Sequence, residues 1–319
     1  MLQKYNFQEA AHCGWGYGSP NKWADSAATI FDELHNWAVK YAHWDAKVLT
    51  EKQRKDLLAS IDEYCIQDDL EVILSGLPGQ LHTAFVPDLV GMFLIKDCLA
   101  RFFHNPLWYL VPRLPSDEGD SARAMPPTAS GFGADAFTLY QNLLTTHPIY
   151  ANCWRLWTAR LSTPNISPKE VNVNNSFGQA MAAHREHIVD KMCTDLLKHD
   201  ILQPVIRPLE SQKEIDIRIR QLQRVYKMAA KFAVGAACEV TRLEFWTLKQ
   251  MDPYFHHSSE QARAALNHQL DKEGAKYRLD GQRILALRAP LIFLRGTIFD
   301  ANSEKLVRKA EVIIEDHEG

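Results

Sequence analysis

Three carboxylates crowd one short stretch of this chain, Ile66–Gln67–Asp68–Asp69–Leu70–Glu71. On a helix, Asp68 and Glu71 share a face at i, i+3, while Asp69 points about 100° away. Clustered carboxylates on helices can hold a hard cation such as Mg²⁺ and bridge it to a diphosphate, because such cations take oxygen ligands. The spacing departs from the D-D-x-x-D/E pattern of terpene cyclases by one place. The companion pattern, N-x-x-x-S-x-x-x-E, is also incomplete: Asn172 and Ser176 fit, but Ala180 stands at the third position. A second constellation is His184-x-x-His187-x-x-Asp190, with Arg185 and Glu186 inside it. Imidazoles three residues apart on a helix suit a transition metal or acid–base work. Asp32-x-x-His35 is a further carboxylate–imidazole pair, although no Glu-x-x-His set of the di-iron type is complete. Nucleophilic, P-loop and dinucleotide signatures are absent: there is no G-x-S-x-G, and Gly14, Gly16 and Gly18 do not form G-x-G-x-x-G.

These groups need elements to carry them. Ala24–Val48 repeats apolar residues at intervals of three and four (Ile30, Leu34, Trp37, Tyr41, Trp44, Val48), which predicts an amphipathic helix. Further helices are expected over Glu51–Ser75, Pro87–His104, Ala134–Thr146 and Pro148–Leu161. Another should run from an Asn175 or Ser176 cap to about His199, and one more over Ser259–Glu273. The most regular stretch is Ser211–Gln250, where Ile215, Ile219, Leu222, Tyr226, Ala229, Ala233, Ala236, Val240 and Leu243 keep the alternation unbroken. It predicts one helix about 55 Å long at 1.5 Å per residue, with Arg218, Arg220, Arg224, Lys227 and Lys231 on its flank. The alanines leave room for a neighbouring helix or a ligand. Residues 112–133, rich in Pro, Gly and Ser, read as a flexible loop. Residues 277–315 read as a small antiparallel β element, with Asp280–Gly281 as a turn between two arms. The expected fold is therefore mainly α. It is an irregular helical bundle around a long central helix with that C-terminal β element, all within one domain over residues 1–319.

Composition narrows the class. The chain has 319 residues, is 46% apolar and carries a net charge of −3. That excludes a disordered or collagen-like chain and lacks the basic excess of a nucleic-acid binder, so no nucleic-acid partner is expected. No run approaches about 18 apolar residues, and the first residues lack a signal-peptide core, so no membrane partner and a cytoplasmic location are expected. The six cysteines lie tens of residues apart, which fits buried reduced thiols rather than a disulfide framework.

The stretches YCIQDDLE (Tyr64–Glu71), FLIKDCLARFFHNPLWYL (Phe93–Leu110) and NSFGQAMAAHRE (Asn175–Glu186), with LYQNLLTTHPIYANCWRLWTARL between them and LDGQRILAL near the end, resemble a family of predicted helical proteins of filamentous fungi. The resemblance spans roughly residues 50–300. It implies an intracellular fungal protein connected with specialised metabolism, and it assigns no catalytic residue.

Eight tryptophans complete the reading. When several line a helical assembly beside alanine-rich segments, a partly apolar ligand cavity becomes credible. The expected function is a small-molecule enzyme or ligand-binding protein with an aromatic-lined pocket for a small apolar or aromatic molecule. Trp37, Trp154, Trp157, Arg155 and Tyr226 would bind the ligand, and Asp68, Glu71, His184 and Glu186 would be the catalytic polar groups. Whether a metal or other cofactor takes part is left open, as is the oligomeric state. The alternative is a non-catalytic regulatory or interaction protein whose arginine flank contacts a partner. The enzyme reading requires Asp68 or Glu71 to share a cavity with His184 or Glu186.

Overall fold

A computed structural model describes residues 20–111, 131–164, 175–270, 277–297 and 300–316. Helices dominate up to Ala237, and strands take over beyond it. Helix α1 (Pro20–Tyr41) buries the stripe Trp23, Ala27, Ile30, Leu34, Trp37 and Tyr41, as its spacing requires. It stops short of the expected Val48. The Asp45 carboxylate accepts the Lys47 N–H at 2.8 Å and caps a separate short turn, leaving Trp44 and Val48 exposed.

The expected helix Glu51–Ser75 is two helices, α2 (Glu51–Ser60) and α3 (Leu70–Ser75). A Thr50/Gln53 capping box opens the first. Between them Glu63 adopts a positive φ of 70°, and the chain is drawn onto a strand edge. There the Ile66 N–H donates to the Leu285 carbonyl at 2.9 Å, and the Leu287 N–H donates to the Tyr64 carbonyl. Helix α4 (Gly79–Phe102) is buried on nearly every side and begins about two turns before the expected Pro87, which sits inside it. The burial of Leu81, Phe85, Leu89, Met92 and Ile95 outweighs the roughly 3 kcal/mol that an interior proline costs a helix.

Helices α5 (Gly131–Thr146), α6 (Pro148–Leu161) and α7 (Ser176–Leu196) follow. The predicted loop 112–133 falls mostly outside the described residues, and its last three positions, Gly131–Gly133, open α5. Asn175 caps α7 as expected: its side-chain oxygen accepts the Gly178 N–H at 2.9 Å, and its amide nitrogen donates to the Leu161 and Thr163 carbonyls.

The predicted 35–40-residue rod is α8 (Gln212–Ala237), 26 residues long and opened by a Ser211/Glu214 capping box. Leu243 lies instead in strand β1 (Arg242–Trp246). Buried arginines on α6 gather the carbonyls at the helix end. Arg160 donates to Cys238 at 3.0 Å, and Arg155 donates to Glu239, Val240 and Thr241 at 2.6, 3.0 and 3.2 Å. Cations there complement the negative end of the helix dipole.

The β element is larger than expected and divides in two. One sheet orders β1, β4 (Leu291–Arg295) and β5 (Glu304–Arg308), all antiparallel. The other orders β2 (Ala262–Ala264), β6 (Ala310–Ile314) and β3 (Ile284–Ala289), with β2 and β6 parallel. The helix expected over Ser259–Glu273 is thus replaced, where described, by a strand and a 3₁₀ turn at Leu266–His268. The Ala310 N–H donates to the Gln261 carbonyl at 2.8 Å and the Ala265 N–H to the Val312 carbonyl at 2.9 Å, which holds this segment extended along β6. The Asp280–Gly281 turn forms, with Gly281 at φ +80°, but residues 277–279 form a turn rather than a strand.

Where helices meet sheet, charge is buried. His35 on α1 and Asp88 on α4 are 2% and 3% exposed. The His35 Nε2–H donates to the Arg288 carbonyl at 2.8 Å, while Arg288 bridges Asp88 at 3.2 Å and Glu311 at 2.5 Å. Burial, and then the Arg288 charge, push the His35 pKa below its ordinary 6.5. Buried His268 is lowered in the same direction, mainly by desolvation. Its Nε2 accepts the Ile314 N–H at 3.0 Å, so the neutral ring is the one that fits.

Protonation of either ring is disfavoured in the fold relative to the unfolded chain. Their contribution is therefore present above pH 6.5 and lost as the medium becomes more acid. The urea midpoint is expected to fall as pH drops below that value. A midpoint that stays flat, or that His35→Gln leaves with the same pH slope, would contradict the assignment.

Candidate functional site

The aromatic residues converge where the ends of α4 and α8 meet α5, α6 and β1. A cavity of about 600 Å³ opens there. Its walls are rings: Phe102 and Phe103 at the end of α4, Phe137 and Tyr140 on α5, and Phe245 on β1. Phe103 and Phe245 meet edge to face at 5.0 Å, and Phe137 lies 6.4 Å from Tyr140. Ala233, Ala236 and Ala237 form the floor on α8, so the alanine-rich turn predicted to leave space does so at this end. Ala229 is fully packed.

The polar groups are unequal. Arg155 is 3% exposed and lines the cavity. Its hydrogen-bond partners are the three carbonyls after α8, its Nε has no partner, and no carboxylate of the described residues lies within ion-pairing distance. Burial pulls its pKa down from the usual arginine value. The carboxylates on the rim are engaged elsewhere. Glu244 holds Arg295 at 2.8 Å and accepts the Trp246 indole N–H, and Glu63 pairs with Lys249. The Tyr140 hydroxyl donates to Asn152 at 2.8 Å. Arg242 stands exposed at the mouth.

Of the sequence-predicted residues, the cavity takes Arg155 and, behind its wall, Trp154, whose ring stacks on Tyr140 at 6.5 Å and 20°. Trp157 lies on another face of α6, with the Arg160 guanidinium 5.4 Å over it. Trp37 is core, its indole N–H donating to the Arg218 carbonyl at 3.1 Å. Tyr226 is also core. Its hydroxyl donates to Asp97 at 2.8 Å, and burial drives its pKa up. Both are corrections. A tryptophan or tyrosine on the apolar stripe of a central helix fills space, and its polar atom is answered by the neighbouring helix.

The acid–base set does not assemble. Asp68 is paired with Arg283 at 2.8 Å, and Glu71, exposed, with Arg54; together they line an open recess beside α2. The two do not share a helix face, because Glu71 is in the first turn of α3 while Asp68 precedes it and Asp69 is its N-cap. Glu186 lines a different recess, between α7 and α8. His184 is half-buried, its pKa lowered by burial and then by His187 and Arg185. Asp190 is bridged to Lys227 at 2.9 Å. Among the described residues no three His, Cys, Asp or Glu side chains could hold a metal ion. The five described cysteines are buried and free.

Sequence reading missed the phenylalanines. Phe102, Phe103, Phe137 and Phe245 come from three segments, and the only linear signal was Phe102–Phe103 at the end of an apolar helix. No described helix is long and apolar enough to cross a membrane. Comparison of the chain with protein-family models, with curated proteins and with solved structures finds no match.

Proposed function

We propose that the chain is a small-molecule-binding protein whose aromatic cavity takes a planar apolar or aromatic ligand carrying an anionic group. One observation carries the reading: Arg155, a buried cation with no carboxylate of the described residues within ion-pairing distance, on the wall of a ring-lined cavity. The helix end it caps supplies about half a negative charge, and a ligand carboxylate would supply the rest as a charge-assisted hydrogen bond. About 600 Å³ lies within the range of ligand sites, some 300–1,000 Å³. Stacking on Phe137 and Tyr140 would hold the ring. Binding is favoured over turnover because Glu63 and Glu244, the carboxylates at this cavity, are both spent on ion pairs. The resemblance to fungal proteins would place such a ligand in specialised metabolism.

The test is calorimetry with naphthoate and its neutral analogue naphthamide. Naphthoate should bind about tenfold tighter or more, a difference of roughly 1.4 kcal/mol. Ala236→Leu, which fills the floor, should abolish binding of both without altering the circular dichroism. Equal affinity for the two compounds, or full affinity in Ala236→Leu, would refute the assignment. Arg155→Met is the weaker test, since it also frees the carbonyls after α8.

A further inference from the structure

The basic flank of α8 borders a second recess, of about 830 Å³, between α7 and α8. The floor is apolar and low: Ala182 and Val189 on α7, and Met228, Ala230 and Val234 on α8. Arg220, Arg224, Lys227 and Lys231 edge it on one side, and Arg185 stands on the other. Steps of four, three and four residues align the four α8 cations in one stripe, about 16 Å long at 1.5 Å per residue. Among the described lining residues Glu186 is the one carboxylate. Arg224 is bridged to Glu33 at 2.5 Å and Lys227 to Asp190 at 2.9 Å. Arg220 and Lys231 are exposed and have no acidic partner among the described residues.

We infer that this recess seats an acidic amphipathic helix from a partner protein. Charge complementarity selects the occupant. A single anionic head group is satisfied by two or three cations converging on a point, whereas these are spread over three helical turns. A phosphodiester backbone would suit the stripe but has no use for the apolar floor. A helix with carboxylates at i, i+4, i+7 and i+11 and an apolar face beside them matches both features, the helix-in-groove mode of recognition. Small residues, Ala182, Ala230 and Gly235, let its backbone approach. The assignment does not depend on the aromatic cavity, whose lining lies on the α4 and β1 side of α8.

The experiment uses the intact protein and a fluorescently labelled peptide of leucine and glutamate, with glutamates in that spacing, followed by anisotropy. One-to-one binding that weakens with added salt is expected. Arg220→Glu combined with Lys231→Glu should weaken it about tenfold or more, while leaving the urea midpoint and naphthoate binding unchanged. A peptide with lysine only at the two outer positions, i and i+11, should regain affinity for the double variant. The inference is overturned by equal affinity for a scrambled peptide of the same composition, by an unaffected double variant, or by no binding at millimolar peptide. Displacement of the peptide by dodecyl phosphate at low concentration would also overturn it, reassigning the recess to a lipid-like anion.

Discussion

Asp88→Ala is expected to lower the unfolding free energy by about 3–5 kcal/mol, the cost of stranding one member of a buried ion pair. The aspartate is 3% exposed, and its partner Arg288 lies 3.2 Å away on β3, facing Glu311 at 2.5 Å. Without Asp88, Arg288 keeps Glu311 but loses its contact with α4, and His35 loses the carboxylate 3.6 Å from its Nδ1. Arg263 also leans on Glu311 at 2.8 Å, so the sheet side of the cluster remains paired while the helix side opens. The measurement is urea unfolding of Asp88→Ala, Arg288→Met and the double variant. The double should be less destabilised than the sum of the singles by 1 kcal/mol or more, on the order of coupling expected within one network. Additive losses would show that the cluster is not a unit and that α4 is held to β3 by apolar packing alone.

Gly178→Ala is expected to destabilise by about 1–3 kcal/mol, although alanine is the better helix former. A Cβ at this position would overlap the Thr163 carbonyl and the Asn175 amide nitrogen. The carbonyl is backbone and cannot swing aside, so the start of α7 must move away from the end of α6. That would also strain the Asn175 bonds to Leu161 and Thr163. Gly79→Ala serves as the control. It too is helical, but nothing lies within 4 Å of its Cβ position, so alanine there should be neutral or stabilising by up to about 1 kcal/mol. Opposite signs at the two sites, read from thermal or urea midpoints, would support the close approach of α6 and α7. A stabilised Gly178→Ala would refute it.

The failures of sequence reading share a cause. The run Glu51–Ser75 has helical residues throughout, yet Tyr64 and Ile66 hydrogen-bond to β3. A strand edge more than two hundred residues away competes for the same backbone groups, and no local pattern reports it. The stretch beyond Ala237 continues the three-and-four spacing through Val240 and Leu243, yet Arg155 and Arg160 collect its carbonyls and the chain leaves as a strand. Ser259–Glu273 was misread for the same reason, since its extended segment is paired to β6. Asp68 and Glu71 were read as cofacial because the helix beneath them was assumed. Once that helix is broken, Asp68 meets Arg283 and Glu71 meets Arg54.

What the chain's own order of residues determined was the existence of the long amphipathic helices and the places where strong caps act. The Asn175 cap, the end of α6 and the buried face of α1 follow from side-chain spacing and from hydrogen bonds spanning three or four residues, both properties of local sequence. Only the tertiary structure decided where helices give way to strands and which rings face a cavity. It also decided that buried Arg155 has no carboxylate of the described residues within ion-pairing distance. Those outcomes depend on groups far apart in the chain competing for the same backbone donors, the same volume and the same charge, and such competition is settled only when the segments meet.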